Sequence, residues 1–472
     1  MEYRLFVGGT FRNGVAVREV RVPYDGNLFA TVHTGDAALM GDAVAAARKG
    51  FAAMRLLTRA RRAEILYEVR RRLLEESDWF ARIIASECGK PLREARLEVT
   101  RGAATLLFSG NEALALAGEE VPIDASAHGA GRMAMVVREP LGVIGAITPF
   151  NFPLNLSLHK IGPALAAGNA VVHKPASATP VSALELARLF AEAGLPEGAL
   201  NVVPGPGAEL GEALTRHPDV AMITFTGSPE VGERLRGIAG LKRVTLELGS
   251  NSAVIIEADG DLDLAVPACV SGAFAHSGQV CISVQRIFVH SGLFEAFLER
   301  FSEGAAKLRR GSPLDDVTEV SSLITATEAA RVGDWVGEAV AGGGRLVTGG
   351  GVDGTRMAPT VVAEAPLAGR LMTKEAFGPV AGVNRFGSLE EAIGLVNASE
   401  YGLQASIFTR DIQKAFRAAR DVEVGGFLIN DVPQFRADQM PYGGVKRSGT
   451  GREGPRYAVE EMTERKLIIW RV

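Results

Sequence analysis

The chain has 472 residues with 51 basic and 55 acidic side chains, a formal charge of −4; this excludes a single small module and gives none of the positive footprint that phosphate-backbone binding needs. Apolar residues make up 47% and charged residues 22%, the composition of a folded globular protein, so disorder is excluded and no nucleic-acid partner is expected. The three cysteines, Cys88, Cys269 and Cys281, are too few for a disulfide framework, the opening MEYRLFVGGTFRNG has no export-signal pattern, and no run reaches the ~18–20 apolar residues of a membrane span; a cytoplasmic chain with reduced thiols is expected.

In chain order, apolar positions recur every three or four residues from Asp36 to Met54, Thr58 to Glu87 and Arg93 to Ala117, which predicts amphipathic helices and a helix-rich N-terminal region. From Leu141 the apolar runs LGVIGAI, NAVVHK, LNVV, AMITFT and RVTLEL alternate with helical segments such as Pro180–Gly194 and Ser228–Gly240. That alternation predicts a parallel, doubly wound sheet. After Gly249 it begins again with SAVIIE, the small-residue segment Leu262–Ser277, QRIFVH and an amphipathic stretch from Phe294 to Arg309, so a second α/β domain starts there. Two further strands, Arg132–Arg138 and Arg465–Val472, lie at domain margins, where each either caps its own sheet or meets a partner chain. Gly342–Gly351 reads as glycine turns around a short strand, and no repeat or low-complexity tract appears.

Seven scattered histidines and no CxxC give no support for a metal site. Cys281, in SGQVCIS, sits in a turn between the small-residue helix and the strand QRIFVH, where a sulfur can be presented at a domain surface. Cys269 and Cys88 read as packing residues. A nucleophilic thiol also needs an oxyanion donor and a base to activate water. Asn151, in TPFNFP, places an amide at the C-terminal edge of the first sheet, although alone it also reads as a turn former before Pro153. Glu247 ends the strand RVTLEL among apolar residues, where burial raises a carboxylate toward a usable base; pairing with an arginine is the open alternative. Gly227 and Ser228 join the strand AMITFT to a helix start that suits a pyrophosphate, and Lys174 closes the strand NAVVHK within reach of a ribose or phosphate.

Taken together and in order, TPFNFP, HKPAS, FTGSPEVG, LELGS, GQVCIS, KEAFGP and MPYGGVKRSGTGREG closely resemble the aldehyde dehydrogenase superfamily, from about residue 4 to the C-terminus. The resemblance implies NAD(P)-dependent oxidation of an aldehyde to a carboxylate through a covalent thioester. Cys281 would attack the carbonyl, the Asn151 amide and the Cys281 N–H would hold the oxyanion, and Glu247 would activate the hydrolytic water. Lys174 would bind the adenosine ribose, Gly227, Ser228 and Gly249 would lie along the dinucleotide, and Glu375 would hold the nicotinamide ribose beside Phe377 and Phe150. NAD-preferring relatives often carry a glutamate three residues after the lysine; Ser177 stands there, which permits NADP as well as NAD. Ser250 replaces a usual glycine, and Phe150 a frequent tryptophan.

Val280, where an arginine precedes the nucleophile in branches acting on phosphorylated aldehydes, counts against glyceraldehyde 3-phosphate. The ending FRADQMPYGGVKRSGTGREG, with His159 in LSLHK, looks most like the lactaldehyde branch acting on short hydroxyaldehydes. Phe150, His159, Phe435 and Arg101 are the expected substrate contacts. Succinate semialdehyde is the alternative, its carboxylate met by Arg101, Arg286 or Arg436. Glu247 favours hydrolysis over transfer to CoA, since acylating relatives generally lack that base, and a scaffold that had lost the reaction would usually lack Cys281 or Glu247. The expected organisation is α/β, with two doubly wound parallel-sheet domains and a small β element: residues 1–119 and 139–248 bind NAD(P), 249–440 form the catalytic domain, and 120–138 with 441–472 form a bridging element through which the family builds homodimers or homotetramers.

Overall fold

The computed structural model of the chain describes residues 1–472. The strands predicted after Leu141 form the centre of an eight-stranded sheet, with Arg243–Glu247, Val220–Thr226, Val143–Ile147, Ala170–Lys174 and Leu200–Val202 side by side and parallel. All five residues of Val143–Ile147 and of Ala170–Lys174 are buried, as expected for strands covered by helices on both faces. The chain winds from Val143–Ile147 first to one side and then to the other, so the strand order reverses between Val143–Ile147 and Val220–Thr226. In open α/β sheets ligands bind beyond the strand C-termini at such a reversal.

A second sheet of seven strands follows: Arg345–Thr348, Thr360–Ala363, Val380–Phe386, Arg286–His290, Ala253–Ile256, Gln404–Phe408 and Gly426–Ile429, parallel except for the first. The two marginal strands pair with one another. Arg132–Pro140 and Thr463–Arg471 run antiparallel from Thr463 opposite Pro140 to Arg471 opposite Arg132, with Glu119–Val121 on the far side.

The helix-rich N-terminal region is present, as Ala37–Met54, Arg59–Glu75, Ser77–Cys88 and Leu92–Ala115. Strands precede it: Leu5–Val7 and Thr10–Arg12 extend the eight-stranded sheet, and Glu2–Tyr3, Ala16–Arg21 and Leu28–Thr34 form a small sheet of their own. Two expectations are corrected. The helix expected over Thr58–Glu87 is two helices, Arg59–Glu75 and Ser77–Cys88, that meet at Glu76. Residues 441–472 are not all in the bridging element, because Gly449–Thr450 pairs with Leu246 and Glu247 in the eight-stranded sheet and only Thr463–Arg471 joins the marginal one.

Helix Asn155–Ala167 is buried at every position. It can be, because neighbouring helix Leu92–Ala115 approaches it through glycine: a Cβ on Gly102 would lie 2.8 Å from Leu158 Cδ1, and one on Gly162 2.7 Å from Ser109 Oγ. That packing fixes the start of the buried helix and, with it, the TPFNFP turn immediately before.

Candidate active site

Cys281 is delivered by a strained turn. Helix Leu262–Phe274 ends before it, and His276, Ser277 and Gly278 follow with φ of 46°, 54° and 71°. A Cβ on Gly278 would lie 2.0 Å from the Gly378 carbonyl oxygen, so only glycine lets the turn pass the second sheet this closely. Two left-handed non-glycine residues in succession cost about 1–3 kcal/mol each, strain of a kind that collects at functional sites. Gln279 locks the turn's exit: its side-chain amide donates to the His276 and Ser322 carbonyls at 3.3 Å, and its Oε1 accepts from Ile324 N at 2.9 Å.

The sulfur lies where two cavities meet. A larger one of about 980 Å³ is lined by Arg101, Phe152, Val280, Gln434, Phe435 and Tyr442 among others, a smaller one of about 550 Å³ by Phe150, Asn151, Gly227, Ser228, Gly249 and Glu375; Cys281 and Leu156 line both. The apolar walls disfavour the thiolate, so burial pushes the Cys281 thiol up to about 11 against a hydrogen bond from Tyr442 that pulls it down.

Asn151 is buried beside this turn and its Nδ2 donates to the Gln279 carbonyl at 2.9 Å. The amide is thereby held two residues from the sulfur with a second N–H left to donate. Glu247 is level with Thr226 at the C-terminal edge of its sheet. It is buried, and neither carboxylate oxygen has a hydrogen-bond partner. Burial first, and then the nearby Glu453, raise its pKa well above the ordinary carboxylate value, while Arg436, Lys160 and Arg452 act against that. The open alternative of an arginine partner is therefore not what the structure has. A Cβ on Gly443 would come within 2.7 Å of Glu247 Oε1, so the MPYGG segment packs directly on this carboxylate.

The smaller cavity fits the nicotinamide and pyrophosphate part of a dinucleotide. Its floor includes the first turn of helix Pro229–Ile238, capped by Ser228, whose hydroxyl accepts from Val231 N. Gly249 passes against Glu375, where a Cβ would lie 2.3 Å from Oε2, and Glu375 Oε1 accepts from Ser250 N at 2.9 Å. Burial lifts that carboxyl to about 7. Phe150 and Phe377 meet edge to face with centroids 5.8 Å apart, giving an aromatic wall. Lys174 and Ser177 lie outside this lining: Lys174 is buried near Gly207, its ammonium lowered to about 8 by desolvation, and the Ser177 hydroxyl donates to the Gly205 carbonyl at 2.6 Å.

The expected substrate contacts divide. Phe435 and Arg101 line the larger cavity. Phe150 lines only the smaller one, and on the other side of the sulfur Phe152 stands with Phe435 and Tyr442 on the wall of the larger one. His159 is wholly buried and bonds to Asp438 at 3.1 Å, so it faces protein on all sides; burial, with Arg436 nearby, lowers it to about 4. Asp438 in turn receives Arg101 at 3.1 Å and Asn155 Nδ2 at 3.1 Å. Arg286 is buried at the start of its strand, donating to the carbonyls of Asn251 and Leu395, and does not reach the cavity.

Tyr442, Glu453 and Lys160 carry no signal of their own in the sequence, and Arg436 is expected from it only as a carboxylate contact. Tyr442 OH lies 3.1 Å from the Cys281 sulfur, with Arg436 stacked on its ring at 3.7 Å. Arg436 and Lys160 both pair with Glu453, at 3.0 and 2.6 Å, and against its burial hold that carboxylate down at about 2. All of these but Lys160 lie in the C-terminal stretch FRADQMPYGGVKRSGTGREG, whose glycines allow turns that the sequence does not specify, so which of its charges meet is set only by the fold.

The Aldehyde dehydrogenase family model matches residues 12–468. The 3-sulfolactaldehyde dehydrogenase of Priestia aryabhattai is 46% identical over 468 residues, covering 99% of this chain and 98% of the relative. The lactaldehyde dehydrogenase of Methanococcus aeolicus is 38% identical over 469 residues, covering 98% and 99%. Among solved structures, aldehyde dehydrogenase 21 from Physcomitrella patens in complex with the reaction product succinate is 36% identical, superimposes with a TM-score of 0.97, and covers 100% of this chain and 98% of that one. With the two cavities meeting at one sulfur, these likenesses place the chain in the aldehyde dehydrogenase family, as an NAD(P)-dependent aldehyde dehydrogenase.

Proposed function

We propose that the enzyme oxidises a short hydroxyaldehyde of the lactaldehyde type to its carboxylate, with Cys281 as nucleophile, Asn151 as oxyanion donor and Glu247 as the base for hydrolysis. The observation that carries this reading is the position of Cys281 on the walls of both cavities, which brings an aldehyde on one side and a dinucleotide on the other to the same atom.

The Cys281 thiolate adds to the aldehyde carbon, and the new oxyanion takes hydrogen bonds from Asn151 Nδ2 and the Cys281 N–H. Gly227, Ser228, Gly249, Glu375 and Phe377 would hold NAD or NADP in the smaller cavity, with Lys174 and Ser177 at the adenosine end. NAD or NADP held there would supply the hydride acceptor that the oxidation of the aldehyde to a Cys281 thioester requires. Glu247, left without partners in a dry setting, takes a proton from the water that attacks the thioester, and the acid leaves with the thiolate restored. Ser177 presents no carboxylate to repel a 2′-phosphate, which supports use of both NAD and NADP.

A second reading extends the first to an aldehyde with an anionic tail. Arg101 and Arg436 both line the larger cavity, and the relatives that act on 3-sulfolactaldehyde or yield succinate handle such groups. The test is kcat/KM for lactaldehyde, 3-sulfolactaldehyde, succinate semialdehyde and propanal with each cofactor. A preference for the two hydroxyaldehydes over propanal supports the first reading; equal rates for all four overturn it. Arg101→Met should lower kcat/KM for the sulfonated substrate by about tenfold and leave propanal unchanged, as expected when one charged hydrogen bond is lost.

A further inference from the structure

A thiol that must act as a nucleophile has to ionise in a place that disfavours charge, and the cavity walls around Cys281 are such a place. What faces the sulfur there is the Tyr442 hydroxyl, at 3.1 Å. That contact is held from several sides. The Tyr442 ring is buried, the Arg436 guanidinium lies 3.7 Å from its centroid, and Arg436 is anchored by Glu453 at 3.0 Å. The backbones of Tyr442 and Glu453 exchange two hydrogen bonds, at 3.0 and 2.7 Å, and Glu453 is pinned in turn by Lys160 at 2.6 Å.

A neutral hydroxyl donating to sulfur distinguishes thiolate from thiol, because a hydrogen bond to a charged acceptor is roughly twice as strong as one to a neutral acceptor. A cation on the face of the ring draws charge toward itself, which strengthens the O–H as a donor, and its own field at the sulfur favours the anion too. Both effects act in the same direction. Tyrosine supplies what a phenylalanine of the same shape would not.

We propose that Tyr442 is a catalytic residue: its hydroxyl donates to the Cys281 sulfur and stabilises it as thiolate, with Arg436 as the positioning residue that fixes and polarises the ring. The proposal rests on Cys281 being the nucleophile. No bond to Tyr442 forms or breaks. The thiol proton leaves to solvent, and when the sulfur bonds to the aldehyde carbon its charge passes to the aldehyde oxygen. The same donor is in place when hydrolysis expels the sulfur again as thiolate, so it assists release of the acid as well as attack.

The experiment is the pH dependence of iodoacetamide alkylation at Cys281 in wild type and Tyr442→Phe, with the modified residue identified by peptide mass and thermal melting used to show that both proteins are folded. The expected result is a midpoint raised by about one pH unit in the variant. Near neutral pH the thiolate is then about tenfold scarcer but intrinsically more nucleophilic, so alkylation slows by about threefold. A midpoint that is unchanged or lower overturns the proposal. The wild-type arm separately tests its foundation: full alkylation of Cys281 with undiminished dehydrogenase turnover removes the nucleophile itself, whatever the variant's profile.

Discussion

At the scale of single residues, the proposed chemistry depends on a carboxylate kept without partners. Because burial raises the pKa of Glu247 in the folded chain, its charged form opposes folding: the penalty is absent below the ordinary carboxylate pKa, grows as pH rises above it, and is complete above the folded-state value. Glu247→Gln should therefore melt about 2 °C higher than wild type at mildly alkaline pH and lose that advantage in acid, measured by calorimetry across pH. Asn151→Ala should lower kcat by about a hundredfold or more, through loss of one oxyanion donor, while iodoacetamide still labels Cys281. Cys281, Glu247 and Asn151 could be picked out as candidates because each lies in a short segment whose neighbours set its backbone. Phe150 and Phe152 were not separable in that way: they flank Asn151 in one turn, and only the fold sends one to the smaller cavity and the other to the larger.

At the scale of elements, the turn carrying Asn151 is clamped by a buried ion pair. Glu98 accepts from Leu154 N at 3.0 Å and Asn155 N at 3.1 Å at the start of helix Asn155–Ala167. It also pairs with Lys90, both side chains being fully buried, and the Lys90 ammonium lies 3.6 Å from the Phe152 ring centroid. Lys90→Met leaves the carboxylate unpaired in the interior and should destabilise the protein by about 3–5 kcal/mol in denaturant unfolding. The parallel strands were readable because continuous apolar runs have one common explanation in an α/β chain. Leu5–Val7, wholly buried but three residues long, is too short for any period to appear, and its place in the sheet is set by antiparallel pairing with Leu200–Val202, distant in sequence. The lone histidine of LSLHK reads as a site residue only until its helix is seen to be buried on every face.

At the scale of the whole molecule, the marginal strands pair together but leave the long outer edge of Thr463–Arg471 unpaired. Thr463–Arg471 lies at the end of its three-stranded sheet, with Leu467 52% and Ile469 48% exposed and Ile468 and Trp470 also open to solvent. An apolar edge of this length is a template for strand pairing, and we propose that a second copy of the chain covers it. Light scattering should give a particle mass that is a multiple of 49.9 kDa, reduced to the single-chain value by the combined Leu467→Asp and Ile469→Asp changes. The division of the chain into cofactor, catalytic and bridging parts stays a proposal, with the strand at Gly449–Thr450 tying the C-terminal segment to the cofactor sheet just beside Glu247.

The most direct test of the mechanism is a rapid-mixing experiment on Glu247→Gln with lactaldehyde and NADP, followed by mass analysis of the peptide that contains residue 281. The account predicts one reduced cofactor per chain, then a stall, with the acyl group on Cys281. Sustained turnover at the wild-type rate, or an acyl group on any other residue, would contradict it.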